Sequence, residues 1–355
     1  MRKLFVILGN GFTIDFINHI SNNENLIKEK IDVQNLFRFG DTIDVPWDKK
    51  PGFLSFKHCP ALWTLGARVN NTRQECTELI EEIITCANMF FDFVKDEEQK
   101  EHRQKMLTSR DQPIYLKAYC ELVVYLKRLF SCYNGYISDD ELKKFVNNSE
   151  WGWLKFLKNI DKGDYEKIVF VTYNYDIWLE RILKQLGYNY NMTGFDDLST
   201  SNIDIIKPHG SISFVPKDNE SLYEISYKLD LEETSIDNLR VDYEQLLEYS
   251  RGAIIPPAGD SMRFVTEEWS GKLREKAYKA AQTIEKDDNV VMCGISYWHV
   301  DRRELDRLLI NVNSEVNFTF INPDPPRDLN AVLISIFKNY TYQSSSRMLG
   351  EILNG

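Results

Sequence analysis

No Cys-x-x-Cys pair occurs in this 355-residue chain. Its six cysteines, Cys59, Cys76, Cys86, Cys120, Cys132 and Cys293, leave a long middle stretch without thiols. A structural zinc centre needs clustered soft ligands, so no metal site is expected. Scattered, mostly apolar-flanked thiols fit a reducing compartment, and a cytoplasmic protein is expected. Basic charge is also short: 43 Lys and Arg stand against 54 Asp and Glu, a formal charge of −11. An acidic chain gains no counterion-release affinity for nucleic acid, so no direct contact with DNA or RNA is expected. No apolar run approaches the ~18 residues of a membrane span. The opening Met-Arg-Lys-Leu-Phe-Val-Ile-Leu has too short an apolar run for a secretory signal and reads as a first strand. The Gly-x-Gly-x-x-Gly dinucleotide fingerprint is missing too, because Ile14 stands where its third glycine belongs. No internal repeat is visible.

What is present is ample core material: 43% hydrophobic residues, including 20 Phe and 18 Tyr. General disorder is excluded on that ground. Residues 3–8 read as a buried strand ended by Gly-Asn-Gly, with a helix from about Thr13. The chain is irregular to about Thr72. Amphipathic spacing then predicts helices over 75–94 and 114–132, a third capped by Asp139 or Asp140, and a fourth from Glu150 to Ile160. Residues 40–160 form a mainly helical insertion or subdomain on this reading. The α/β rhythm resumes with strands at Lys167–Thr172, Ile203–Ile206, Ser211–Val215, Gly252–Ile255, Val290–Cys293 and Glu315–Ile321. Helices are expected at Ile177–Leu186, Trp269–Ile284, Asp301–Leu309 and Leu329–Phe337. The acidic stretch 218–242 reads as a solvated excursion. Strands alternating with helices predict an α/β, Rossmann-like, mostly parallel sheet with helices on both faces.

Five short segments follow predicted strands, where such sheets bind ligands. Gly9-Asn10-Gly11 lets backbone approach a phosphate or ribose, although a tight strand–helix turn explains it equally well. Thr172-Tyr173-Asn174-Tyr175-Asp176 offers an amide and a carboxylate at a strand end, and helix capping by Asn174 or Asp176 is the plainer alternative. His209, between Pro208 and Gly210, is one of only five histidines. An imidazole titrates near neutrality, so it can take a proton from a ribose hydroxyl or orient one. Gly294-Ile295-Ser296 and Asn322-Pro323 supply a glycine, a hydroxyl and an amide suited to ribose and phosphate, or simply loop chemistry.

These segments, in this order, resemble the sirtuin superfamily: a glycine-rich turn, a Thr-x-Asn-x-Asp segment, a His-Gly, a Gly-x-Ser and a late Ile-Asn. The likeness covers the two ends and the second half of the chain but not the helical region. It implies a single NAD-binding domain over 1–355. Gly9, Asn10, Gly11 and Phe12 would line the pyrophosphate and ribose. Asn174 would lie beside the nicotinamide ribose, and Asp176 would read the carboxamide. His209 would be the catalytic histidine, and Gly294, Ser296 and Asn322 would hold the adenosine half. Protein-deacylating members usually carry a four-cysteine zinc module after the His-Gly, and this chain has no cysteine between His209 and Cys293. Tyr173 also replaces their usual glutamine. Those departures, with the helical insertion, resemble the sirtuin-like NAD hydrolases of bacterial anti-phage systems, including the partners of HerA-type ATPases or short Argonautes. AbiH abortive-infection proteins are a related likeness.

The resemblance therefore implies an NAD glycohydrolase that yields nicotinamide and ADP-ribose, with NAD as substrate and no metal. Asn174 would position water or the ribose hydroxyls, and His209 would act as base or orienter. Regulation by homo-oligomer assembly or by a HerA-type ATPase or short Argonaute partner is expected of such an activity, with depletion of NAD in abortive infection as its outcome. The alternatives are an NAD-dependent protein deacylase or ADP-ribosyltransferase, and a non-catalytic nucleotide-sensing assembly module.

Overall fold

A computed structural model describes residues 2–21, 27–94, 112–160, 165–195, 201–217, 225, 235–248, 252–256, 269–297 and 302–349. Its strands are β1 (Arg2–Leu8), β2 (Tyr165–Thr172), β3 (Asn191–Met192), β4 (Ile203–Ile206), β5 (Phe214–Pro216), β6 (Leu239–Val241), β7 (Asn289–Cys293), β8 (Asn317–Ile321) and β9 (Asn339–Gln343). Its helices are α1 (Asn10–Ser21), α2 (Pro60–Thr64), α3 (Arg73–Val94), α4 (Ile114–Gly135), α5 (Asp139–Asn148), α6 (Gly152–Lys158), α7 (Trp178–Gln185), α8 (Trp269–Gln282), α9 (Arg302–Ile310) and α10 (Arg327–Ile336). The chain divides into two compact units. One is Met1–Lys28, Ile137–Pro208 and Gly271–Gly355; the other is Glu29–Tyr136 and His209–Ser270.

The first unit holds a seven-stranded sheet in the order β3-β4-β2-β1-β7-β8-β9, with every pairing parallel. Leu4 to Leu8 of β1 and all five residues of β7 are buried. Such unbroken apolar runs suit strands covered on both faces, because helices flank a parallel sheet above and below. The expected α/β, Rossmann-like architecture is what forms. From β1 the order runs outward through β2 and β4 on one side, and through β7, β8 and β9 on the other. The reversal between β1 and β7 is a topological switch point. There the carboxyl ends of adjacent strands feed connections in opposite directions and open a crevice.

Helix α1 starts at Asn10, three residues before the expected Thr13. Its buried face carries Phe12 and Phe16 into an aromatic cluster. Phe12 lies 5.4 Å from Trp151 and 5.3 Å from Trp153, and Phe16 lies 5.5 Å from Phe145 and 5.6 Å from Trp178. Asp15 on the same helix accepts hydrogen bonds from Trp151 Nε1 at 2.8 Å and Ser346 Oγ at 2.7 Å. At α5 the cap is Ser138, which forms a reciprocal capping box with Glu141, while Asp139 and Asp140 lie in the first turn. Strand β9 was not anticipated. Its uncharged Asn-Tyr-Thr-Tyr-Gln is largely exposed at the sheet edge and carries no apolar run.

In the second unit, α2 and α3 pack on α4. Glu121 of α4, wholly buried, accepts the Ala61 and Leu62 N–H groups at 3.0 and 2.8 Å and so satisfies the start of α2 from another element. The antiparallel pair β5–β6 completes this unit. The expected strand over Ser211–Val215 shortens to β5, and Gly252–Ile255 contributes a single bridge between Ile254 and Gly210. Most of the acidic stretch 218–242 lies outside the described residues, and its end forms β6. The helical region expected over 40–160 therefore contains the α2–α4 group, while α5 and α6 belong to the sheet unit.

Candidate functional site

Glycine at positions 9, 11 and 294 is required by contact between two turns. Gly9 N donates to Cys293 O at 2.9 Å, and Gly11 N to Gly294 O at 3.1 Å. Gly294 has φ +62°, and a Cβ built on it would lie 2.2 Å from Gly11 Cα. The β1–α1 turn and the end of β7 thus meet backbone to backbone, which a side chain would prevent. The same bonds occupy the Gly9 and Gly11 N–H groups. Those two donors are therefore not directed at a phosphate. Phe12 lies inward, 1% exposed, and its ring is core. Asn10 and Ser296 are exposed at the carboxyl edge. Asn322, half-buried, donates from Nδ2 to Ile295 O at 3.5 Å and accepts at Oδ1 from Asp324 N at 3.2 Å. It ties the end of β8 to the turn after β7.

The end of β2 joins this edge through side chains. Asn174 Nδ2 donates to Gly9 O and to Thr13 Oγ1, each at 3.0 Å, so both its amide hydrogens are used. The Thr13 hydroxyl donates onward to Asp176 Oδ2 at 2.6 Å. Asp176 Oδ1 accepts the Trp178 N–H at 3.2 Å, satisfying a donor at the start of α7. Asp176 thus meets a helix-start donor, while the cap position is Ile177, without a side-chain cap bond. With both oxygens engaged and 4% exposure, this carboxyl does not reach outward to read a carboxamide.

Behind Asp176 lies a charged pair that the sequence reading did not single out. Lys207 Nζ donates to Asp176 O and to Glu180 Oε1, the latter at 2.8 Å, with both side chains essentially inaccessible. Glu180 Oε2 has no hydrogen-bond partner among the described residues. Two carboxyls and one ammonium thus share a dry cluster. Burial pushes the Asp176 carboxyl above the usual carboxylate range; the Lys207 charge and the Thr13 hydroxyl oppose that, Glu180 adds to it, and the net direction is up. A lysine ending the buried run of β4 was a usable signal, since a charged side chain there demands a partner.

His209 opens a segment of the second unit and is buried. Its carbonyl accepts the Ile255 N–H at 3.0 Å, and Ser211 N donates to Ala253 O at 3.0 Å. Between them Gly210 has φ +86°, and a Cβ there would lie 1.8 Å from Ala253 O. The Pro-His-Gly run is therefore fixed by a close backbone crossing. An open polar hollow of about 380 Å³, lined by residues including Asp32, Asn35, Arg38, Asn71 and Arg73, also belongs to the second unit and contains none of the residues singled out from the sequence.

Among the described residues, no group of three or more His, Cys, Asp or Glu side chains is arranged to hold a metal ion. No helix among them is long and apolar enough to cross a membrane. No protein-family model matches the chain, and no curated protein matches it significantly. The fold and the carboxyl edge define a class: a doubly wound α/β protein whose switch point joins a glycine-packed turn to a buried Asn-Thr-Asp-Lys-Glu network.

Proposed function

We propose that this chain is an NAD glycohydrolase of the sirtuin-like kind. The observation that carries the reading is the convergence of Gly9–Phe12, Asn174–Asp176, Gly294–Ser296 and Asn322 on one carboxyl edge, at and beside the switch point of a parallel sheet. In the proposed reaction the bond between nicotinamide nitrogen and the ribose anomeric carbon breaks, and its electron pair leaves with nicotinamide. Water adds to the anomeric carbon and its surplus proton departs, giving ADP-ribose. The oxocarbenium character that develops is favoured by a polar, preorganised edge.

Within that reading Asn10 and Ser296, both exposed at the edge, take the nucleotide's hydroxyl and phosphate oxygens. Asn174 keeps its carbonyl oxygen for water or a ribose hydroxyl, because its amide hydrogens are spent on Gly9 and Thr13. Asp176 acts through Thr13. His209 is assigned as base or orienter on its chemistry and its Pro-His-Gly setting. Restraint by self-assembly or by a partner such as a HerA-type ATPase or short Argonaute, and service in abortive infection, belong to the same proposal.

The test is release of nicotinamide from NAD by the purified full chain, followed by chromatography, alone and with the product of a neighbouring gene. His209→Ala and Asn174→Ala should each abolish most of it. Full activity in either variant rejects the assigned roles, and intact NAD in every assembly state rejects hydrolysis. One observation favours a second reading, a nucleotide-sensing module without turnover: Asn174 and Asp176 are largely committed to internal bonds. Saturable NAD binding with no nicotinamide release selects it.

A further inference from the structure

Lys127 is the most deeply buried cation among the described residues of the second unit. It sits mid-way along α4, 0% exposed. Its Nζ donates to the carbonyls of Ile212 and Leu246, the latter at 3.1 Å, and lies 3.5 Å from Ser131 Oγ. Asp242 and Arg128 are the charged groups that act on it, with opposite effects. Its stem runs beneath Gly252: a Cβ at that glycine would lie 3.0 Å from Lys127 Cδ and 3.1 Å from Cε. Two segments therefore close over one side chain. The 209–214 segment is fastened at Ile212 O, and the 252–255 segment rides on the stem. The segments are themselves laced by Ile255 N to His209 O, Ser211 N to Ala253 O and Ala253 N to Phe214 O, each at 3.0 Å. Next along α4, Arg128 Nη1 donates to Leu247 O at 2.7 Å, fixing the carbonyl that follows Leu246.

Burying an ammonium is costly unless its donors meet acceptors in good geometry. A methionine in this place would fill the same volume without that cost, so a lysine here is best explained by the carbonyls it gathers. We infer that Lys127 is a positioning residue that pins the His209–Phe214 segment, and with it the backbone of His209, to α4. The inference rests on the proposed role of His209 for its functional meaning but not for its structural test.

That test is hydrogen–deuterium exchange on the full chain, comparing Lys127→Met and Ser131→Ala with the parent. Loss of the pin should speed exchange at the Ser211, Ala253 and Ile255 amides on the order of tenfold or more, with α2 and α3 unchanged and Ser131→Ala close to the parent. Unaltered exchange at those three amides overturns the inference. So does acceleration spread evenly over α2, α3 and α4, which would mark Lys127 as a general stability element. If Lys127→Met does not fold, Gly252→Ala, which crowds the same stem, should loosen the same amides, and protection equal to the parent again overturns it. Where NAD turnover is observed, Lys127→Met should lower kcat with KM little changed and shift the pH profile of kcat. Absence of turnover in the parent counts against the proposed function alone, because the exchange result stands without it.

Discussion

Replacing Gly294 by alanine tests the central claim about the switch point, that its glycines exist for a backbone-to-backbone crossing. Two costs add. At φ +62° an L side chain sits in left-handed backbone, worth about 1–2 kcal/mol. The new Cβ would also lie 2.2, 2.5 and 2.8 Å from Gly11 Cα, N and C, all backbone atoms that no rotamer change can move aside. Overpacking of this kind costs roughly 1–3 kcal/mol, so the sum is about 2–5 kcal/mol. Gly187 provides the control: its φ is +84° and nothing lies within 4 Å of its added Cβ. Gly187→Ala therefore carries only the conformational cost of about 1–2 kcal/mol. The assay is urea unfolding of both variants by tryptophan fluorescence, since Trp151, Trp153 and Trp178 are buried in the sheet unit and report its opening. The difference between the two variants isolates the clash and should be about 1–3 kcal/mol. Equal costs would refute the crossing as the reason for glycine at 294.

Other predictions concern neighbouring groups. The Asp176 carboxyl is raised by burial above its ordinary 3.8, so its favourable contribution is present below that pH and lost as pH rises through the folded value. Asp176→Asn should thus gain in Tm relative to the parent as pH goes from about 4 to 7, and a flat or shrinking difference contradicts the charged-cluster account. Phe12→Ala should lose about 3–5 kcal/mol in chemical denaturation because the ring fills the aromatic cluster; a loss under ~1 kcal/mol would return Phe12 to the ligand-facing role. His19 is raised above 6.5 chiefly by its hydrogen bond to Asp15. Burial pushes Asp15 up, but hydrogen bonds from His19, Ser346 and Trp151 leave it below 3.8. Their mutual support is therefore greatest between about pH 4 and 6.5, fading above as His19 deprotonates and below as Asp15 protonates. His19→Asn should cost more at pH 5 than at pH 8, by about 0.5 kcal/mol or less because the pair is partly exposed.

Periodicity and strand-end chemistry were enough to read the sheet. β1, β2, β4, β7 and β8 are apolar runs with turn residues after them, and their burial between helices leaves little else they can become. The same pattern located the carboxyl edge and four of its segments. Where it failed, the reason is physical. β9 is a polar edge strand held by its pairing with β8, and α1 begins early, with Gly11 held in the crossing by its bond to Gly294 O. Glu121, Lys127, Glu180 and Lys207 were not singled out, since the acceptors and partners that make their burial tolerable come from distant segments.

The amino-acid sequence alone determined the alternation of strand and helix, the glycine-rich turns and the polar residues at strand ends, because these depend on local periodicity and backbone freedom. Only tertiary structure decided which of those polar groups are spent. Gly9 and Gly11 donate to β7, Asn174 and Asp176 close on Thr13, Lys207 neutralises Glu180, and Lys127 gathers the carbonyls behind His209. A hydrogen bond between residues far apart in the chain leaves no mark in either local pattern, and here such bonds are what hold the edge together.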